Sequence, residues 1–324
     1  MNIDFELKNH LVCEFLRRKI APSLLSEERG VVGGIDEVVD AFMEAFREQI
    51  EGTFKSDEII QTYKNPKILG GINTFFKNFN IELLTRKSNK TTYNGGTEPS
   101  SIKYDDGKKM WVCVPNIRLS IGAPNVNKLV NTLSFALSHE LTHCFNLLQY
   151  AKKTEQDPFI SLERNRYFVI NKSLWNGFGN EKAFANILYC LNRLERNAYL
   201  AQLRQELMSV KDKMVNDKAI FSLIRNSQSY SKFKYLESQI NIICNEITDK
   251  ETQDSIIGYV NKMMGKNFTN FNQIKKYFVN RWNKWKKAYL SKATKIAYDV
   301  YETTKHSKWL DWGIYGKDDA VINP

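Results

Sequence analysis

The sequence predicts an α+β protein that is predominantly α-helical, with one small β-sheet and a large helical C-terminal part. Apolar residues recur at three- and four-residue spacing over long stretches, which is typical of helices that bury one face. The strands predicted within residues 81–121 are few and short, which is enough for one small sheet. We expect residues 1–150 to contain the N-terminal helices, the sheet and an apolar helix, and residues 151–324 to form a helical part.

Composition and charge limit the class of protein. The 324 residues are 42% hydrophobic and 26% charged, which is enough apolar material for a sizeable core. No apolar run approaches the roughly 20 residues of a membrane helix, and no basic region followed by an apolar one opens the chain as in a secretory signal. The five cysteines are far apart and form no C-x-x-C pair, which favours the cytoplasm or another reducing compartment. Nothing in the sequence indicates an oligomeric state.

The N-terminal half begins with helices and continues with short strands. An amphipathic helix is predicted by the spacing of Ile35, Val38, Val39, Phe42, Phe46 and Ile50. Residues 81–87 predict a strand, whereas residues 88–109 are polar and rich in Asn and Gly, which predicts a loop. Residues 110–114 predict a second strand, and residues 116–121 should extend it or pair with it.

Three later segments predict long helices. Residues 127–150 are strongly apolar and contain neither proline nor glycine. After a linker with Asp157 and Pro158, the clearest helical patterns cover residues 181–214 and residues 271–301.

The helix predicted at residues 127–150 carries the spacing H-E-x-x-H (HExxH), formed by His139, Glu140 and His143. Histidines four residues apart lie on the same face of a helix, so both imidazoles can reach one metal ion. Zinc accepts such nitrogen ligands at about 2.0–2.1 Å. Glu140 is then placed to bond a zinc-activated water, whose pKa falls toward roughly 7, and to take its proton as general base. The alternative is a buried helix edge that carries these residues without a metal.

With its uncharged flanks this helix resembles the extended motif of the zincin metallopeptidases; the flanking residues are Ala136, Leu137, Leu141, Thr142, Cys144 and Phe145. The resemblance covers this helix, the strand before it and one later helix, which is well under half of the chain. It implies a zincin-like core, one Zn²⁺ per chain, and a hydrolase that cleaves a protein or peptide substrate. The metzincin pattern would require glycine and histidine where this chain has Asn146 and Gln149. The resemblance is therefore to the gluzincins, in which a glutamate on a later helix is the third zinc ligand.

Glu195 is the best candidate for that third ligand. It shares its helical face with apolar residues, namely Leu188, Leu191 and Ala198. A carboxylate on an apolar stripe is unfavourable unless it has a partner, and zinc is such a partner. The alternative is a partly exposed Glu195 that pairs with Arg193 or Arg196. Weaker candidates for the ligand are Glu163, Glu181 and Asp157.

The position four residues after Glu195 departs from the thermolysin-like branch, which has an aspartate there that orients one histidine. This chain has Tyr199 instead, so the partner of the histidine is unassigned. Peptide hydrolysis also needs a donor for the developing oxyanion. Tyr199 is the candidate catalytic residue for that role, with Tyr189 and His306 as alternatives; each could equally be a residue that only packs and hydrogen-bonds locally.

The net charge of +11 and a basic, aromatic C-terminal segment leave an anionic partner open. Within residues 275–295, eight basic residues alternate with rings at helical spacing, namely Phe278, Trp282, Trp285 and Tyr289. This spacing favours a buried stripe with a solvated basic back over a surface for stacking bases.

Three functions remain: a zinc peptidase, an inactive zinc-binding or structural component of an assembly such as a phage or virus particle, and a basic protein associated with nucleic acid. The second would place the protein in a virion.

Overall fold

The computed structural model of the chain describes residues 3–20, 32–54, 59–64, 79–158, 187–245 and 247–311. The predominantly α-helical architecture with a small sheet is confirmed. In chain order the elements are α1 (Ile3–Ile20), α2 (Val32–Thr53), β1 (Ile59–Lys64), β2 (Asn80–Lys87), β3 (Thr92–Thr97), β4 (Ile102–Asp105), β5 (Met110–Cys113), β6 (Asn116–Ala123), α3 (Val126–Thr154), α4 (Arg193–Met208), α5 (Asp217–Arg225), α6 (Gln228–Asn245), α7 (Lys250–Met264) and α8 (Phe271–Asp311). None of the described helices combines the length and apolar character that crossing a membrane requires.

Among the described residues the main sheet has four strands, in the order β1-β2-β6-β3. The central strands β2 and β6 are parallel, whereas the outer strands β1 and β3 are antiparallel to their neighbours. Alternate residues of the central pair, such as Ile81, Ile117 and Leu119, are buried, which is the pattern of a sheet with one face on the core. Within the part of the chain that the structure describes, β3 is therefore an edge strand.

The prediction of a loop over residues 88–109 is wrong, because this segment contains both β3 and β4. In β3 most residues are exposed and Gly95 and Gly96 are adjacent, so the strand lacks the apolar alternation that marks a half-buried strand. It forms because its backbone pairs with β6, a contact that no local pattern encodes. The strands predicted at residues 110–114 and 116–121 do form, but they do not pair with each other. Instead β5 and β4 make a separate two-stranded ribbon, and β6 joins the main sheet.

Helix α3 lies against the sheet and contacts α2, α4, β3 and β6. It begins at Val126, where the side chain of Asn125 accepts a hydrogen bond from the Lys128 N–H and so satisfies one unpaired donor of the first turn. It ends at Thr154, and the capping residue Glu155 takes the left-handed conformation with φ 56°. Most of its residues are buried, in agreement with the apolar helix predicted for residues 127–150.

The described residues form two apolar cores. One comprises α2, the strands β2, β4, β5 and β6, and α3, while the other comprises α1, residues 187–191 and the helices from α4 to α8. The first helix therefore packs with the C-terminal helices. Ion pairs support this contact, because Asp4 accepts from Lys234 at 2.9 Å and Glu6 accepts from Lys286 at 2.7 Å.

The helices of the C-terminal part differ from the predicted ones at residues 181–214 and agree with them at the ring stripe of α8. In the segment predicted as one helix over residues 181–214, the chain turns at Leu191 and Asn192, and α4 begins at Arg193 with Asn192 as its cap. Residues 181–186 lie outside the described part. The ring stripe of α8 is confirmed as core, since Phe278, Trp282, Trp285 and Tyr289 are each at most 4% exposed. These four rings are therefore not available for stacking on bases.

Candidate metal centre

The packing of α3 against α4 brings three side chains with metal-ligand chemistry together. His139 and His143 come from successive turns of α3, and Glu195 comes from the first turn of α4. All three are buried, with exposed fractions of 5%, 7% and 1% respectively. Their ligand atoms lie within 4.8 Å of one another, so the group predicted from the sequence could hold a metal ion.

The separations between the ligand atoms match those around a small tetrahedral ion. His139 Nε2 lies 3.2 Å from His143 Nε2. Glu195 approaches the two rings with different oxygens, Oε2 at 3.5 Å from His139 Nε2 and Oε1 at 3.2 Å from His143 Nε2. Ligand atoms bonded tetrahedrally at about 2.0–2.1 Å would stand about 3.3–3.4 Å apart. Each of the three separations is therefore close to the distance expected between two ligands of one ion.

The charges of Glu195 and the two histidines also favour a bound cation. Burial by itself would raise the pKa of Glu195, but His143 and His139 beside it hold that pKa well below its usual value. Burial likewise would lower the pKa of His143, but the Glu195 carboxylate raises it to about 9. Without a metal, the carboxylate thus pairs with a protonated imidazole, and a divalent cation would take the place of that proton. Since Glu195 is 1% exposed, the alternative of a partly exposed residue does not hold.

The ring nitrogen of His139 that points away from the metal-ligand group is Nδ1. This atom is buried and has no hydrogen-bond partner among the described residues. Tyr199, which stands where a thermolysin-like chain has an aspartate, contacts this ring instead. The ring centroids of Tyr199 and His139 are 5.1 Å apart, and the ring planes meet at 64°. Packing against Tyr199 therefore orients the His139 ring on that side.

Glu140 is 5% exposed and its carboxylate lies beneath the edge strand β3. The hydroxyl of Thr97, the last residue of β3, donates to Glu140 Oε2 at 3.0 Å. A Cβ atom at Gly95 would stand 3.1 Å from Glu140 Oε1 and 2.6 Å from a methyl group of Leu119, so glycine is what leaves room here. Sequence reasoning missed both β3 residues, and the only available signal was the pair of adjacent glycines.

A cleft of about 550 Å³ opens over these side chains. His139, Glu140 and Glu195 lie in its lining, together with β3 on one side and the first turn of α6 on another. Tyr93 of β3 and Lys232 of α6 are part of that lining. The metal-ligand group is therefore accessible to a molecule that enters the cleft, although each ligand side chain is itself buried.

The residues predicted as oxyanion donors differ in position. Tyr199 lines the cleft, and its hydroxyl hydrogen-bonds the thiol of Cys190. Tyr189 also lines the cleft. The side chain of His306 lies outside the described part, as do Glu163 and Glu181, two of the weaker candidates for the third ligand. Asp157, the remaining one, is described and is not part of the group.

A hydrogen-bond chain runs from the cleft along α4. The hydroxyl of Tyr93 donates to Gln202 Oε1 at 3.1 Å, and Gln202 Nε2 donates to Glu206 Oε1 at 3.0 Å. Glu206 also accepts the backbone N–H groups of Gln228 at 2.6 Å and Ser229 at 3.0 Å, which open α6. Strand β3, α4 and α6 are thus joined around the cleft by polar contacts that sequence reasoning did not find.

Comparison with known proteins adds no family to this description. No protein-family model matches the chain, and no curated protein or solved structure matches it either.

Proposed function

We propose that this protein is a zinc-dependent metallopeptidase with a zincin-like core, which hydrolyses peptide bonds in a protein or peptide substrate. The observation that carries the proposal is the convergence of His139, His143 and Glu195, whose ligand atoms lie within 4.8 Å of one another, beside a cleft that Glu140 also lines. Structural zinc sites are usually closed by four protein ligands, whereas catalytic sites have three and leave a position open. A group of three ligands that borders a cleft fits the catalytic pattern.

His139, His143 and Glu195 would hold the zinc ion. When bound, zinc supplies Lewis-acid chemistry that lowers the pKa of water toward roughly 7 and polarises a carbonyl group. Glu140 would act as the general base, taking a proton from the attacking water and passing it to the departing amine. Burial of this carboxylate at 5% exposure limits competition from bulk water for its oxygens.

The edge strand β3 supports a peptide as the substrate. One side of β3 pairs with β6, while Tyr93, Asn94 and Gly95 lie in the lining of the cleft. An edge strand presents unpaired N–H and C=O groups, to which an extended peptide can add as a further strand. A peptide bound in this way would run past Glu140 and the metal ligands.

The first test is the zinc content of protein purified without chelators or a histidine-rich tag, measured by plasma mass spectrometry. We expect about one zinc per chain, lost in His139→Ala. A screen of peptide libraries should then reveal cleavage. Glu140→Gln should keep its zinc and lower the rate about 10²- to 10⁴-fold, because the amide cannot accept the proton.

Two results would count against the proposal. Wild-type protein that takes up no zinc would exclude a zinc enzyme. Zinc-loaded protein whose cleavage rate is unchanged by Glu140→Gln would exclude the mechanism. Bound zinc with no cleavage of any peptide would instead favour a zinc-binding component of a larger assembly.

A further inference from the structure

The carboxylate of Glu140 is held from a different part of the chain. Thr97 Oγ1 lies 3.0 Å from Glu140 Oε2 and 3.1 Å from the Glu140 backbone oxygen. Because Thr97 ends β3 and is paired in register with Ile117 of β6, its hydroxyl has a position that the sheet determines. The contact therefore links the edge strand to the H-E-x-x-H helix.

The direction of this hydrogen bond follows from the neighbours of the hydroxyl. The buried thiol of Cys144 donates to Thr97 Oγ1 at 3.8 Å, so the hydroxyl acts as an acceptor on that side. Its own single proton can be donated to one of the two Glu140 oxygens. The backbone oxygen of Glu140 already accepts an N–H group within α3. An ionised carboxylate is also the stronger acceptor. The proton of Thr97 thus goes to Glu140 Oε2.

The two oxygens of Glu140 meet different features of β3. Gly95 stands over Oε1 with no side chain, and Thr97 donates to Oε2 two residues further along the same strand. A glutamate side chain has three rotatable bonds, and without contacts of this kind its carboxylate would sample several orientations. The strand therefore selects one orientation of the group that would accept the proton.

We infer that Thr97 is a positioning residue, which orients the Glu140 carboxylate for proton transfer. This inference rests on the proposed role of Glu140 as the general base. This role requires no contact between Thr97 and the metal ligands, because Thr97 acts through Glu140. Its loss should consequently lower turnover while leaving zinc binding and substrate binding in place.

The test compares Thr97→Val, which removes the hydroxyl and keeps the shape, with Thr97→Ser, which keeps the hydroxyl. Valine has a high preference for strands, so β3 should form in both variants. We expect Thr97→Val to bind zinc as the wild type does, to lower kcat about 10- to 100-fold and to change KM less than about twofold. Thr97→Ser should restore kcat to within about threefold of the wild type.

Crystal structures of the same zinc-loaded proteins provide a readout that does not depend on turnover. In Thr97→Val the Glu140 carboxylate should rotate away from its wild-type orientation, and in Thr97→Ser it should keep it. An unchanged orientation in Thr97→Val overturns the inference even if the protein cleaves no peptide, in which case the hydrolase proposal fails separately. Where cleavage is found, an unchanged kcat in Thr97→Val, or an equal loss in Thr97→Ser, overturns it as well.

Discussion

Glu206 should make the free energy of unfolding depend on pH in a range where most carboxyl groups no longer titrate. It lies on α4 and is 8% exposed. Burial raises its pKa to about 7 from an ordinary value of 4.5, although bonds from Ser229, Gln228 and Gln202 favour the ionised form. The folded chain therefore holds the Glu206 proton more tightly than the unfolded chain does.

The sign and size of the effect follow from linkage. A group whose pKa is higher in the folded state stabilises the fold fully below its unfolded pKa, and that contribution disappears as the pH rises through the folded pKa. Between pH 4.5 and pH 7 the unfolded chain has lost this proton while the folded chain still retains it. At about 1.4 kcal/mol per pH interval of one, the contribution of Glu206 should fall by about 3 kcal/mol over this range.

Urea unfolding of the wild type and of Glu206→Gln at several pH values from 4.5 to 8 would measure this contribution. Glutamine cannot ionise, so the difference between the two free energies of unfolding should shift by about 3 kcal/mol toward the variant as the pH rises. At the acid end the variant should be less stable by about 1 kcal/mol, because one amide oxygen cannot accept all three hydrogen bonds.

Glu251→Gln is a matched control, because Glu251 is solvent-exposed in the first turn of α7. Its difference from the wild type should stay constant within about 0.5 kcal/mol. If the Glu206→Gln difference were equally constant from pH 5 to pH 8, the folded-state pKa of Glu206 would not be raised and the reasoning would be refuted.

Two further predictions concern the metal-ligand group and its neighbour. Glu195→Gln should retain the fold but weaken zinc binding about 100-fold or more, because the carboxylate charge is lost. Competition with a chelating dye measures this affinity, and a dissociation constant equal to that of the wild type would show that Glu195 is not a ligand. Tyr199→Phe should change kcat less than about threefold, because the hydroxyl that is lost is hydrogen-bonded to the thiol of Cys190. A fall of about 10²- to 10³-fold in Tyr199→Phe would instead support Tyr199 as the oxyanion donor.

The metal-ligand group could be predicted from the sequence because each part of it leaves a local trace. His139 and His143 are one helical turn apart, so the geometry of a single helix brings their rings together. Glu195 stood out because it lies between apolar neighbours, and a carboxylate in such surroundings needs a partner. The exact start of α4 was not predicted. The apolar periodicity of Leu188 and Leu191 continues through the turn at Asn192, and tertiary packing decides whether the cap or the longer helix forms.

The surroundings of Glu140 could not be predicted, since the contact with Thr97 spans 43 residues of sequence. Thr97 lies in a strand whose residues are mostly exposed, and only the pairing of this strand with β6 reveals it as a strand. The identity of a reactive group can thus be encoded within five consecutive residues, while its orientation depends on where a distant edge strand docks. A loss of β3 pairing should therefore disturb Glu140 before it disturbs His139 and His143, because the two histidines are held by α3 itself.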